Sequence, residues 1–75
     1  MWVIKLSNGR GHEEWYETLS VRTQADRKAD ARHFKSKEEA DERASFCQRH
    51  ADSFSGAFYD EGRGRYSLTA TVEPA

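Results

Sequence analysis

Apolar and polar residues alternate along three segments of this chain, a pattern typical of strands that bury one face. The apolar rows are Trp2, Ile4 and Leu6, then Trp15, Leu19 and Val21, and finally Tyr66, Leu68, Ala70 and Val72. Glu17 interrupts the second row, so we expect a bulge or an edge position there. The pattern predicts an antiparallel sheet with one apolar face.

A helix is predicted from Lys37 to about His50. Ser36 can act as its N-cap and Glu39 follows three residues later, which is the spacing of a capping box. At 100° per residue, four small residues fall on one stripe of this helix. They are Ala40, Ala44, Cys47 and Ala51. A stripe of small side chains lets the helix axis approach the sheet closely, so large side chains of the sheet must fill the core.

Two glycine-bearing turns flank the helix in the sequence. The segment 7–11 contains Asn8-Gly9, a strong hairpin signal, and the segment 60–64 lies between predicted strands at 56–59 and 65–73. Residues 22–30 are polar and are read as an exposed loop, which a short third strand at 31–34 follows. An alternative extends the helix backward through Ala25 and Ala29.

The predicted order is therefore β-β-β-α-β-β, an α+β fold in which one helix packs on one face of an antiparallel sheet of four to five strands. Seventy-five residues correspond to a single domain spanning 1–75. Twelve Lys+Arg residues nearly balance thirteen Asp+Glu residues, so no whole-molecule field attracts DNA or a membrane. Cys47 is the single cysteine, and no segment resembles a signal peptide or a membrane span, so a cytoplasmic location is expected.

Signals for catalysis or metal binding are thin. Cys47 and His50 are three residues apart on the predicted helix, a spacing that can direct both toward one ion. However, Cys47 lies in the small apolar stripe and no second paired motif accompanies it. Adjacent carboxylates, as in Glu13-Glu14, point to opposite faces of an extended segment. We therefore expect no enzyme activity, no cofactor and no metal site.

The sheet face opposite the helix is expected to be open and available for contact. Acidic and aromatic residues that would contact a protein partner on this surface and the nearby hairpin are Glu13, Glu14, Tyr16, Glu17 and Tyr59. Aromatic side chains offer large contact area at low entropic cost. The sequence thus favours a non-catalytic protein-binding module, either monomeric or homodimeric through a strand edge.

The alternative function is a DNA-binding accessory domain that grips phosphates with a basic segment. The basic residues concerned are Arg22, Arg27, Lys28, Arg32, Lys35 and Lys37. The segment Phe34–Ala40, placed after three short strands, resembles the strand-to-helix junction of the arm-type DNA-binding domains of phage integrases. That resemblance implies a three-stranded sheet that enters the major groove. Members of the family carry basic residues on the first two strands, whereas this chain has acidic ones, so no DNA-contact residue is carried over.

A second similarity involves Ala31, Arg32, Phe34, Ser36 and Glu38, which follow strands that begin near the first residue. This spacing is similar to a segment of a small α+β phage inhibitor of the anti-CRISPR type. The resemblance implies a stand-alone inhibitor that blocks a working surface of a host defence complex that handles nucleic acid. Direct nucleic-acid binding is then the second choice.

Overall fold

The fold is described from a computed structural model, for residues 1–18 and 24–75. Its strands are β1 (Trp2–Ser7), β2 (Glu13–Trp15), β3 (Tyr59–Asp60), β4 (Arg65–Tyr66) and β5 (Thr69–Pro74), and its helix is α1 (Lys37–Arg49). Short 3-10 turns lie at Lys28–Asp30, Ala51–Ser53 and Gly56–Phe58. The α+β class and the antiparallel pairing predicted from the sequence are confirmed.

The larger sheet has the order β2-β1-β5, so the first strand is central. In the antiparallel register, Leu6 lies between Glu14 on β2 and Ala70 on β5, while Ile4 lies opposite Val72. Strands β3 and β4 form a separate two-stranded sheet in which Tyr59 lies opposite Tyr66. The second hairpin is therefore a distinct unit beside the main sheet.

The helix begins where the sequence places its cap. The Ser36 hydroxyl accepts a hydrogen bond from the Glu39 backbone N–H at 3.1 Å, which satisfies one donor that the first turn leaves unpaired. The predicted stripe is confirmed, since its four small residues, Ala40, Ala44, Cys47 and Ala51, are all buried. They pack in one core with Ile4, Leu6, Phe54 and Phe58. The sheet and the loop after the helix thus supply the bulk that the helix lacks.

The predicted strand order is wrong in two places. Instead of a strand at 31–34, only Phe34 pairs with Trp2, in an isolated bridge, because β2 already occupies that side of β1 farther along. The predicted strand at 65–73 is interrupted between Tyr66 and Thr69, where the chain passes from the small sheet to the large one. The alternative backward extension of the helix is also wrong, since the described residues 24–36 contain one 3-10 turn and no α-helix. Leu19 and Val21 of the second apolar row lie outside the described residues.

Both outer strands of the larger sheet have part of their free edge covered. On β2, the N–H and C=O of Trp15 pair with those of Ala25. On β5, the Ala70 N–H donates to the Gln48 side-chain oxygen at 2.9 Å. Pro74 lies four residues later on the same side and has no N–H to offer. These contacts block part of the backbone that another strand would need for pairing.

Candidate protein-interaction surface

The second strand was predicted to expose Glu14 and Tyr16 to a partner, but the structure directs both side chains into the protein. Tyr16 has 0% of its surface exposed and Glu14 has 8%, so both residues face the core. The Tyr16 ring stacks on Phe34 with centroids 6.0 Å apart, and its hydroxyl accepts a hydrogen bond from Arg43 on α1. The prediction that Glu14 and Tyr16 lie on an open face is therefore wrong, because the register places them beside Leu6 and Ile4.

Glu14 is accommodated in the core by His12, which lies just before β2. The Nε2 atom of His12 lies 3.1 Å from a carboxylate oxygen of Glu14. The His12 ring in turn meets Phe58 edge-on, with centroids 5.5 Å apart. A buried carboxylate needs a polar partner. The contact between His12 and Glu14 is therefore explained by the burial of Glu14. Glu13 and Glu17 are exposed, and Glu13 lies 3.7 Å from Lys5.

The sheet face opposite α1 is covered in part by the chain itself. Val3 is fully buried on this face. The Lys5 ammonium bridges the carboxylates of Glu13 and Glu73 at 3.7 and 3.6 Å. Lys28 reaches Glu73 from the loop and lies over the Trp15 ring, 5.7 Å from its centroid. This face is therefore not the bare contact surface that the sequence predicted.

Three of the five described residues of the basic segment lie within ion-pair distance of a carboxylate. Arg27 pairs with Asp30 at 2.9 Å, and Lys37 pairs with Asp41 one helical turn later. Lys28 pairs with Glu73, as described above. Arg32 lies over the Phe34 ring, and Lys35 is exposed. Arg22 lies outside the described residues.

Two tyrosines on the second hairpin form the most exposed aromatic cluster of the described chain. Tyr59 is 40% exposed and Tyr66 is 38% exposed. Their rings meet edge-to-face, with centroids 5.1 Å apart and planes at 71°. This geometry is favourable for aromatic rings and holds the pair in one arrangement. Tyr59 is thus the one predicted partner-binding aromatic that the structure leaves accessible.

The two tyrosines border a groove of about 380 Å³ between the hairpin and the end of α1. Its lining consists of Gln48, Arg49, Ala51, Asp52, Tyr59, Gly64, Arg65 and Tyr66. We call Tyr59, Tyr66, Arg49 and Arg65 the tyrosine patch. Within residues 1–18 and 24–75, neither Arg49 nor Arg65 has a carboxylate within ion-pair distance. The patch therefore combines exposed aromatic surface with two guanidinium groups that form no ion pair within those residues.

The loop of the first hairpin holds this second hairpin in place. The Asn8 side-chain amide donates to the Ala57 carbonyl at 2.9 Å, and Arg10 donates to the Tyr59 carbonyl at 3.0 Å. Arg10 also lies 3.4 Å from the Asp60 carboxylate. Gly64 adopts a φ of 69°, a left-handed conformation that favours glycine in the turn. These contacts fix the backbone on which both tyrosines are mounted.

Sequence reasoning missed Tyr66 as a surface residue because it shares the parity of Leu68 and Ala70. That row is broken where β4 ends, so Tyr66 faces outward while Leu68 is buried. Arg49 lies in the last turn of α1, where a cation complements the helix dipole, so its position in the sequence gives no signal of binding. Arg65 follows the second glycine turn, and the sequence indicates it only as a cation that could grip phosphates, not as part of a protein-binding surface.

A larger depression of about 680 Å³ runs along the outer side of α1. Its lining comes from the helix alone and consists of Glu39, Glu42, Arg43, Ser45, Phe46 and Arg49. The guanidinium of Arg43 is committed to the Tyr16 hydroxyl and ring. The depression is larger, but it is a weaker candidate for a binding site than the tyrosine patch. The patch is formed by two elements, α1 and the second hairpin, and it contains exposed aromatic rings.

The environment of Cys47 does not favour a reactive thiol. The thiol is buried, and burial raises its pKa to about 11, so it is protonated at neutral pH. His50 stacks on Phe46 with ring centroids 4.3 Å apart. No group of three or more His, Cys, Asp or Glu side chains is arranged to hold a metal ion in the part of the chain that the structure describes.

In that same part, no helix has the length and apolar character needed to cross a bilayer. Comparisons with protein-family models, with curated proteins and with solved structures found no match to this chain.

Proposed function

We propose that this chain is a non-catalytic protein-binding module whose contact surface is the tyrosine patch. The observation that carries the proposal is the edge-to-face pair of Tyr59 and Tyr66, each more than a third exposed, beside Arg49 and Arg65. Tyrosine and arginine are enriched among the residues that dominate protein–protein binding energy. The patch thus has the composition of a binding hot spot.

The rings also have enough free surface to matter energetically. A tyrosine buries about 150–250 Å² when it is fully covered, so the exposed 40% of Tyr59 leaves roughly 60–100 Å² available. At about 25 cal/mol per Å², covering that area contributes roughly 1.5–2.5 kcal/mol per ring. The mutual contact of the rings lowers the ordering cost on binding, because each already restricts the other.

The proposal includes the mode of action suggested by the similarity to small phage inhibitors. A module of this kind would act by covering a working surface of a host complex, such as one that handles nucleic acid. The buried, protonated Cys47 is a poor nucleophile, which supports a binding role over covalent catalysis by this thiol.

Direct DNA binding through the basic segment is the weaker proposal. Arg27, Lys28 and Lys37 each lie within ion-pair distance of a carboxylate, which reduces the charge they can offer to phosphates. A DNA contact there would have to break these pairs first.

The test is affinity capture from lysate of the source cells with three immobilised proteins. They are the wild type, the double variant Tyr59→Ser with Tyr66→Ser, and a control double variant, Glu13→Gln with Glu17→Gln, which changes exposed residues of the other sheet region. We expect a partner protein to be retained by the wild type and the control but lost by the tyrosine variant. Nuclease treatment of the lysate should leave retention unchanged. Retention that survives removal of both tyrosines, or salt-sensitive binding of the wild type to DNA alone, would reject the proposal.

A further inference from the structure

The arginines of the tyrosine patch indicate what kind of partner segment fits its groove, an inference that rests on the proposed function. Other arginines of the described chain are engaged within it: Arg10 and Arg63 approach Asp60, Arg27 approaches Asp30, and Arg32 and Arg43 lie over the rings of Phe34 and Tyr16. Arg49 and Arg65 line the groove without such a partner. A guanidinium presents a planar fork of N–H donors that matches a carboxylate. The groove therefore offers an acidic group two arginines that have no carboxylate within ion-pair distance among the described residues.

The same groove limits how much negative charge it can accept. Asp52 is part of its lining and is exposed. The groove also lies at the end of α1, where the unpaired carbonyl groups carry partial negative charge. A nucleic-acid strand, with one charge per nucleotide, would meet both features. A single carboxylate adds only one negative charge to the groove, so it meets less of this repulsion than a polyanion does.

The aromatic rings specify what accompanies that carboxylate. Tyr59 and Tyr66 lie opposite each other across the β3–β4 pair, and their rings meet edge-to-face. Together they form one continuous apolar surface, called the wall of the groove below. An aliphatic or aromatic side chain of a partner can pack on this wall while a neighbouring acidic residue reaches Arg65 or Arg49. The charge and the shape of the groove thus fit a short segment that binds at two points, through a carboxylate and through an apolar side chain.

We propose that the groove binds an extended segment of a partner protein in which one acidic residue is next to an apolar residue. The carboxylate pairs with Arg49 or Arg65, and the apolar side chain packs on Tyr59 and Tyr66. The occupant is a protein segment and not a nucleic acid, because Asp52 and the helix end oppose a polyanion.

The experiment selects peptides from a random display library on the wild-type protein. The selection is then repeated on Arg49→Gln with Arg65→Gln, on the tyrosine double variant, and on Arg27→Gln as a control arginine outside the groove. The strongest peptide is labelled and its affinity is measured by fluorescence anisotropy. A version with its acidic residues changed to amides and a single-stranded thymidine oligonucleotide serve as probes. Circular dichroism verifies that each variant is folded.

We expect the wild type and Arg27→Gln to enrich sequences with an acidic residue beside an apolar one. Removing either the peptide carboxylate or both groove arginines should weaken binding by about tenfold or more. Arg65→Lys should recover only part of this loss, because lysine lacks the bidentate fork.

Peptides that lack acidic residues, or that bind the arginine variant unchanged, would overturn this inference while leaving a protein-binding role intact. Failure to enrich any sequence would overturn it as well. Peptides that bind the tyrosine double variant as tightly as the wild type would overturn the proposed patch itself. Tighter binding of the oligonucleotide than of the best peptide would overturn both proposals.

Discussion

Replacing Tyr16 by alanine tests which face of β2 points inward. The side chain is fully buried, stacks on Phe34 and accepts a hydrogen bond from Arg43. Truncating a buried aromatic to alanine typically costs about 3–5 kcal/mol, through lost burial and the cavity left behind. A domain of 75 residues is stable by only roughly 4–11 kcal/mol in total. We therefore expect Tyr16→Ala to lose a large part of its free energy of unfolding.

The assay is urea unfolding followed by circular dichroism. With slopes of about 1–3 kcal/mol per M for small domains, the midpoint of Tyr16→Ala should fall by about 1 M or more. Tyr16→Phe retains the ring and loses only the hydroxyl acceptor, so its cost should be about 1 kcal/mol. Tyr59→Ala is the matched control, since Tyr59 is 40% exposed and its truncation should cost less than about 1 kcal/mol.

The result that would refute the reasoning is a Tyr16→Ala midpoint equal to that of Tyr59→Ala. Because neighbouring residues of a strand face opposite ways, Tyr16 would then lie on the outer face and Trp15 in the core. The contrast also matters for binding studies. Loss of partner binding on Tyr16→Ala would report unfolding and would say nothing about the contact surface.

Three further predictions concern the helix, the sheet edge and the thiol. Ser36→Ala should lower the free energy of unfolding by about 1 kcal/mol, because the Glu39 N–H loses its acceptor, whereas Ser36→Asp should retain it; urea unfolding measures both. Gln48→Ala should speed amide hydrogen exchange at Ala70, and Gln48→Glu should not, since glutamate keeps the acceptor oxygen; equal rates would show that the side chain does not protect this edge. Cys47 should react slowly with a thiol-specific disulfide reagent at pH 8 until urea is added. Because the folded protein holds the Cys47 proton more tightly than the unfolded chain, stability should fall as pH rises from 9.0 to about 11, and Cys47→Ala should lack that component.

The helix could be predicted from sequence because local physics fixes it. Ser36 and Glu39 supply the start, and the stripe that contains Ala40 and Ala44 can be buried only on one side. The hairpin turns were equally local, since glycines at positive φ occur where the sequence placed them. These features depend on residues within a few positions of each other.

The facing of β2 could not be predicted in the same way. Trp15 and Tyr16 are adjacent aromatics, so alternation does not say which one points inward on a strand only three residues long. The inward position of Tyr16 involves contacts distant in sequence, with Phe34 and with Arg43, which is 27 residues away and donates to the Tyr16 hydroxyl. The candidate site has the same origin, because Tyr59, Tyr66 and Arg49 meet only after the second hairpin docks beside α1.

The link between Arg10 and the backbone near Tyr59 has a consequence for folding kinetics. It joins residues 49 positions apart, and the hairpin it secures has strands of only two residues each. Isolated ribbons of that size are marginal in water, and contacts between distant residues form late because loop closure costs entropy. The tyrosine patch should therefore form after the helix and the larger sheet have docked. Mild heating should make it melt first, so that affinity vanishes while the remainder of the protein stays native.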